Sequence, residues 1–312
     1  MEINFKNDVL FKYALSNEKD KDCQFLLKLI IDEVIGINYQ SLHVINPDII
    51  PERLLDKDII LDILIEDNQG RKIDIEMQKS SLSLYLYQRF QYYGAKLLST
   101  QLDESEPYDR LHAVYQIIFI DDINKDNPCL KEVYTSRTDK ALQEKNNLIH
   151  RIYIFLPYIN EIKKKKSYEE MSLLEKLIYI FANGIDDDIM DIEEEVIKVM
   201  KKKLETFKQD KELAHYAMQR QLGRWVVEGE KRLKYEEGLE HGIEEGIIQG
   251  IQEGKVNQKL KDVQAVVQSL YSITHLDWLN SCTYEQLDIV FNQALCHTPL
   301  SQIQQNITQE NI

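Results

Sequence analysis

The distribution of proline divides the chain into two parts with different folding options. All six prolines lie at positions 47, 51, 107, 128, 157 and 299, so residues 158–298 contain none. Proline breaks helices because it lacks an amide donor and clashes with the preceding turn. We therefore expect a mostly helical region over 161–298, with helices at 169–183, 188–207 and from 211 to about 255.

The first part of the chain mixes helical spacing with strand-like runs. Apolar residues at helical spacing predict helices over 8–15 and 23–35, and Gly36 is typical of a helix C-terminus. Alternating or continuous apolar runs predict strands over 59–65, 71–78, 113–120 and 149–156, and a Tyr- and Leu-rich helix is expected over 80–102. This order of elements predicts an α/β core with a mixed sheet flanked by helices.

Composition excludes several classes of protein. The chain carries 53 acidic and 38 basic residues, a net charge of −15, which argues against binding nucleic acid by charge alone. No apolar run approaches the length of a membrane span, and the first residues lack a signal-peptide pattern. The four cysteines form no C-x-x-C pair, which favours a reduced, cytoplasmic setting.

The predicted hairpin over 59–78 carries the residues with the clearest chemistry. Its turn, Asn68-Gln69-Gly70, is typical of a three-residue loop with glycine in the left-handed conformation. That loop places Asp62 directly opposite Glu76 on one face, where Cβ atoms lie about 4.5–5.5 Å apart. Because two opposed carboxylates repel, the pair predicts a divalent cation, and Mg²⁺ is often held by one or two carboxylates. Gln78 shares that face and is placed to orient a water molecule.

The same alternation has a plainer interpretation. A polar face on a hairpin is usually the solvated side of a sheet, which explains Asp58, Glu66 and Asp74. It explains Asp62 poorly, because this acid interrupts a run that is otherwise apolar on both faces. On the residues alone, a metal site and a solvated face remain alternatives.

Several motifs resemble those of one known family. The segment Asn7-Asp8-Val9-Leu10-Phe11-Lys12 resembles a D-x-x-F-K signature, and residues 75–78 read I-E-M-Q. Residues 89–93, followed by Gln101 and Tyr108, resemble an R…Y…Q…Y helix. These features are similar to the Rpn family of recombination-promoting nucleases and putative transposases, in the PD-(D/E)XK nuclease superfamily. The resemblance covers about residues 4–260 and is strongest over 55–120.

The resemblance implies a restriction-endonuclease-like core over residues 1–160 and cleavage of DNA phosphodiesters with Mg²⁺ or Mn²⁺. By resemblance, Asp62 and Glu76 hold the metal, and Gln78 takes the position of the superfamily's lysine without its charge. Asp8 would be a helix-borne acid near the site, although the residues alone favour a capping role for it. A link to recombination, mobile elements or defence is likewise implied by resemblance.

The helix after the hairpin presents basic and aromatic residues on one face. Arg89, Tyr92 and Lys96, with Tyr85, are suited to contact a phosphate backbone and to stack on bases. The alternative is an amphipathic surface whose long side chains extend to water.

A ladder of glycines marks the helix expected over about 211–255. Each glycine costs about 0.8–1.0 kcal/mol in a helix relative to alanine, so the series needs a structural reason. Close approach of a second helix is one, which predicts a homo-oligomer; a low-complexity, frayed helix is the other. The ladder consists of Gly238, Gly242, Gly246, Gly250 and Gly254.

The C-terminal residues predict one more helix and a loose tail. Thr283 and Gln286 form a capping box that opens a helix to Leu295. The Gln-rich residues 299–312 are expected to be frayed.

Two functions are consistent with the sequence. The first is a Mg²⁺-dependent DNA endonuclease, favoured by the acid pair. The second is an inactive nuclease fold that acts as an oligomeric interaction protein, favoured by the acidic surface.

Overall fold

The computed structural model describes residues 3–45, 48–49, 59–79, 81–273 and 275–309. The chain forms two compact units, Met1–Gly223 and Arg224–Ile312. The first unit contains every described strand, and the second is helical. No helix in the described ranges combines the length and apolarity needed to cross a membrane.

The first unit alternates helices and strands. Its helices are α1 (Asp8–Leu15), α2 (Lys21–Val34), α3 (Leu84–Ser99), α4 (Ile159–Lys163), α5 (Leu173–Asn183), α6 (Glu195–Gln209) and the first part of α7 (Lys211–Tyr271). Its strands are β1 (Leu42–Ile45), β2 (Asp48–Ile49), β3 (Ile59–Ile60), β4 (Ile63–Asp67), β5 (Lys72–Gln78), β6 (Val114–Ile120), β7 (Lys131–Tyr134) and β8 (Ile149–Phe155).

Six strands form one mixed sheet in the order β1-β4-β5-β6-β8-β7, and β2 and β3 form a separate pair. The β5–β6 and β6–β8 pairs are parallel, and the other neighbours are antiparallel. A parallel pair requires a crossover, and α3 supplies it between β5 and β6. The expected α/β core with a mixed sheet flanked by helices is confirmed.

The two faces of the sheet pack against different helices. Alternate residues such as Ile63, Ile75 and Phe119 lie in one core with side chains of α1, α2, α5 and α6. The opposite face carries Leu64 and Ile118, which pack against α3. Because α5 and α6 share the sheet's core, the first compact unit runs past residue 160 to Gly223.

The hairpin has the register expected from its turn. Ile63 pairs with Ile75 and Glu66 with Lys72, and Gly70 adopts a φ of +76°. A side chain at Gly70 would also collide with the His112 ring, 2.7 Å from the added Cβ.

The prediction of one continuous strand over residues 59–65 is wrong. The chain leaves strand geometry at Leu61 and Asp62, so β3 and β4 belong to different sheets. Asp62 uses its backbone N–H and its carboxylate to bond the Glu76 side chain and the Met77 backbone. These bonds replace the regular strand ladder at this point.

Helix boundaries differ modestly from the expected ones. Ser83 caps α3, so this helix begins at Leu84; residue 80 lies outside the described ranges. Helix α5 begins only after a capping box formed by Ser172 and Glu175. Helix α6 begins at Glu195, and α7 continues to Tyr271.

The second unit packs α8 (Tyr284–Leu295) and α9 (Leu300–Gln309) with the end of α7. The capping box at Thr283 is confirmed. The prediction of a frayed C-terminal tail is wrong for the described residues, because they form helix α9, which buries Ile303 and Ile307. Apolar residues at 300, 303 and 307 form a helical stripe within the Gln-rich composition. Residues 310–312 lie outside the described ranges.

Candidate active site

The hairpin brings Asp62 and Glu76 together on one face of the sheet. The Asp62 backbone N–H donates to Glu76 Oε1 at 2.9 Å, and the Met77 N–H donates to Asp62 Oδ2 at 3.0 Å. Glu76 is 3% exposed, whereas the Asp62 side chain is 17% exposed. One carboxylate is therefore buried, and its neighbour is partly exposed.

Gln78 lies on the same face, at the end of β5. Its Nε2 donates to Glu76 Oε2 at 3.2 Å, and the side chain is half-buried. The Gln78 amide is therefore held against the Glu76 carboxylate.

A third acid, Asp74, belongs to this cluster, and its interpretation as a solvated residue is wrong. Asp74 lies two residues before Glu76 and is fully buried, because α3 covers this face. Gln116 of β6 donates to Asp74 Oδ2 at 3.2 Å, while Asp74 Oδ1 finds no hydrogen-bond partner in the described part of the chain. The signal in the sequence was Gln116, a single amide within the apolar run of β6.

Burial makes the charged forms of these acids costly. Burial raises the pKa of Asp74 to about 7; the hydrogen bond from Gln116 opposes this rise and the charge of Asp62 adds to it. Burial also raises the pKa of Glu76 well above its ordinary value, and the charges of Asp74 and Asp62 raise it further. Arg89 opposes both shifts. Three ionised carboxylates at this place therefore require additional positive charge.

Helix α1 brings a cation to the acid pair. Lys12 Nζ lies 3.3 Å from Asp62 Oδ1 and donates to the Leu61 carbonyl at 3.2 Å. The sequence predicted no contact between Lys12 and the hairpin, because the lysine is distant from the hairpin in the chain. Only the packing of α1 on the sheet reveals it.

Asp8 does not cap its helix, contrary to the interpretation from the residues alone. Asn7 is the cap, accepting from the N–H groups of Val9 and Leu10 at 3.0 and 3.3 Å. The Asp8 carboxylate lies 3.1 Å from Arg220 Nη2, on the first part of α7. Asp8 and Lys12 are four residues apart on α1, so they share a helix face.

Arg89 is the residue of α3 whose charge reaches the acid cluster. Its guanidinium carbon lies 4.8 Å from the centre of the Phe90 ring and 5.6 Å from that of Tyr93. Tyr92 is 43% exposed, and Lys96 is half-buried one turn further along the helix. The structure thus places Arg89 beside the acids and Tyr92 on the outer surface of the same helix.

The glycine ladder lies within the part of α7 that belongs to the second unit. Apart from its chain neighbours and the nearby backbone of its own helix, a Cβ at any of the five glycines would have no atom of the described chain within 4 Å. Leu239, Ile243, Ile247 and Ile251 are each more than half exposed. Self-association through this segment stays a prediction.

A mixed sheet flanked by helices, with acids on both strands of one hairpin, is the architecture of a PD-(D/E)XK α/β core. The chain belongs to the family described as PD-(D/E)XK nuclease family transposase, which matches residues 5–225. This match confirms the resemblance carried by the I-E-M-Q motif and covers nearly all of the first compact unit. No curated protein and no solved structure matches the chain. Membership in this family supports a nuclease or transposase-like role.

Proposed function

We propose that the protein is a Mg²⁺-dependent endonuclease that hydrolyses DNA phosphodiester bonds. The observation that carries the proposal is the pair of hydrogen bonds that hold Asp62 beside Glu76, one from the Asp62 N–H to the Glu76 carboxylate and one from the Met77 N–H to the Asp62 carboxylate. Nucleases of this superfamily generally use divalent metal ions, and a nuclease domain implies DNA as the substrate.

The donor set fits Mg²⁺ or Mn²⁺. Within the described ranges, no group of three or more His, Cys, Asp or Glu side chains has the geometry to hold a metal ion by itself. Mg²⁺ is usually bound by one or two carboxylates, with water and phosphate oxygens completing its shell. Asp62 and Glu76 would be those carboxylates.

Each remaining residue has a distinct task. A bound divalent ion would lower the pKa of water and offset the charge that develops on the phosphate. Gln78 orients the water through its amide, and Lys12 supplies the positive charge that glutamine lacks. Arg89 contacts the backbone phosphate, as a planar guanidinium does well. Asp8, tied to Arg220, holds α1 and the start of α7 beside the site.

A plasmid-nicking assay tests this function. Wild type, Asp62→Ala and Glu76→Ala are compared with Mg²⁺, Mn²⁺ or EDTA at low salt, because an acidic protein binds DNA weakly and salt reduces that binding further. Glu66→Ala is the matched control, since Glu66 is an acid of the same hairpin that pairs with Lys72 away from the site. We expect metal-dependent nicking that both site variants lose and the control keeps. Equal cleavage by all four proteins would exclude the proposed site.

An inactive nuclease fold that acts as an oligomeric interaction protein is the second candidate. The exposed apolar residues beside the glycine ladder favour it, because a second copy could cover them. The absence of wild-type cleavage across metals and salts would select this function. For self-association, sedimentation of the full chain is compared with that of Gly242→Gln and Gly246→Gln. These side chains favour helix but block close approach, so we expect them to dissociate the oligomer.

A further inference from the structure

An aromatic pocket lies on the outer side of α3. Tyr85, Gln88, Arg89, Tyr92 and Tyr93 line an open pocket of about 330 Å³. Their spacing of three, four and seven residues places them along one face of the helix. The volume falls within the range of small-molecule sites.

The pocket adjoins the acid cluster, because Arg89 and Tyr93, which line it, interact electrostatically with Asp74 and Glu76. Arg89, which lines the pocket, has a buried Nε that finds no hydrogen-bond partner in the described ranges. Its guanidinium group stacks against Tyr93 while its charge acts on Asp74 and Glu76. A group bound in the pocket therefore lies next to the proposed metal site.

We infer that this pocket receives an unpaired nucleobase of the DNA, next to the phosphate that is cleaved. The inference rests on the proposed function and narrows its substrate to DNA with a single-stranded or extruded nucleotide. Tyr85 and Tyr92 are 62% and 43% exposed, and aromatic side chains at a surface can stack on unpaired bases. The Gln88 amide can both donate to and accept from a base edge, and Arg89 can bond a base or its phosphate. A base inside a duplex is already stacked on both sides, so it cannot enter such a pocket without leaving the helix.

The charge of the protein supports this occupant. A chain of net charge −15 gains little from tracking a duplex backbone by electrostatics. Stacking on tyrosine does not depend on net charge, and base–aromatic stacking tolerates any sequence. Stacking in the pocket therefore provides affinity for DNA that the net charge of the protein does not provide.

Binding measurements with defined oligonucleotides test the inference. The probes are a 30-base-pair duplex and the same duplex with three unpaired nucleotides, one of them 2-aminopurine, whose fluorescence falls on stacking. The full chain is titrated in Ca²⁺, a hard cation that neutralises the carboxylates. We expect at least tenfold tighter binding to the DNA with unpaired bases, with a fall in 2-aminopurine fluorescence and a shallower salt dependence than for the duplex.

Substitutions separate stacking from folding. Tyr85→Ala and Tyr92→Ala should each weaken binding to the unpaired probe about tenfold and leave duplex binding unchanged, whereas the Phe variants keep the ring and the affinity. Tyr108→Ala is the matched control, because Tyr108 is an 84% exposed tyrosine outside this pocket.

Three results would overturn the inference: equal affinity for the two probes, equal losses in the Ala and Phe variants, or no binding to either DNA. Binding of a protein partner that needs Tyr85 and Tyr92, without DNA preference, would assign the pocket to that partner. Asp62→Ala separates the two claims, because it should lose cleavage and retain preference for the unpaired probe. Cleavage that survives Asp62→Ala would reject the proposed site and leave the result on the pocket standing.

Discussion

Replacing the buried Asp74 by asparagine should stabilise the metal-free protein at alkaline pH. The folded protein holds a proton on Asp74 up to about pH 7, whereas the unfolded chain releases it near 3.8. The folded state therefore binds more protons between these values, and stability falls as the pH rises through them. A difference of about three pH units corresponds to about 4 kcal/mol at pH 8, because each unit is worth about 1.4 kcal/mol.

The asparagine removes this cost and keeps the shape of the side chain. Its amide can also donate to Gln116 Oε1, which finds no donor among the described residues. For a unit of this size, 1 kcal/mol moves the melting temperature by about 2 °C. In EDTA we expect Asp74→Asn to melt about 8 °C above wild type at pH 8 and at nearly the same temperature at pH 4.

Calorimetry is the suitable assay, because both tryptophans, Trp225 and Trp278, lie in the second unit. Asp67→Asn is the matched control. Asp67 is equally buried but accepts from Arg71 Nε at 2.6 Å, so its replacement should destabilise the protein at pH 8. An Asp74→Asn advantage that does not change with pH, or no advantage at pH 8, would refute the reasoning. Mg²⁺ should reduce the difference in melting temperature between Asp74→Asn and wild type, because the ion stabilises the ionised acids of the wild type.

Three further substitutions test other parts of the structure. Lys12→Met should slow metal-dependent nicking about tenfold or more, and Lys12→Arg should preserve the rate, because the charge beside Asp62 is what matters. Gly94→Ala should destabilise the first unit by about 1–3 kcal/mol in urea unfolding, since its Cβ would lie 2.6 Å from Gln116 Oε1. Ile303→Ala should destabilise the second unit by about 2–4 kcal/mol, measured by Trp278 fluorescence, and no loss would indicate that α9 does not pack.

The local residues of the turn were sufficient to predict how the two strands of the hairpin pair. The Asn68-Gln69-Gly70 turn fixes the pairing of β4 and β5, because glycine in the left-handed conformation allows a three-residue loop. Strand register then follows residue by residue to the Ile63–Ile75 pair, and it brings Asp62, just before β4, beside Glu76. The capping box at Thr283 predicted the start of α8, and Gly36 predicted the end of α2, from neighbouring residues in the same way.

Burial, by contrast, was decided by elements distant in sequence. An alternating strand has one polar face whether water or a helix covers it, so Asp74 looked solvated until α3 was placed over it. Helix α9 was not predicted for the same reason. Its composition is Gln-rich, and its apolar stripe, which contains Ile303, is buried only because other helices of the second unit cover it.

The sequence by itself determined the family, the α/β core and the facing acids, because motifs, periodicity and turn residues act over a few neighbours. Only the tertiary structure decided that Lys12 lies beside Asp62, that Arg220 pairs with Asp8, and that Asp74 is buried. These contacts join residues that are 50 to more than 200 positions apart, or depend on which face another element covers. No local pattern encodes such distances, because packing of the whole core sets them.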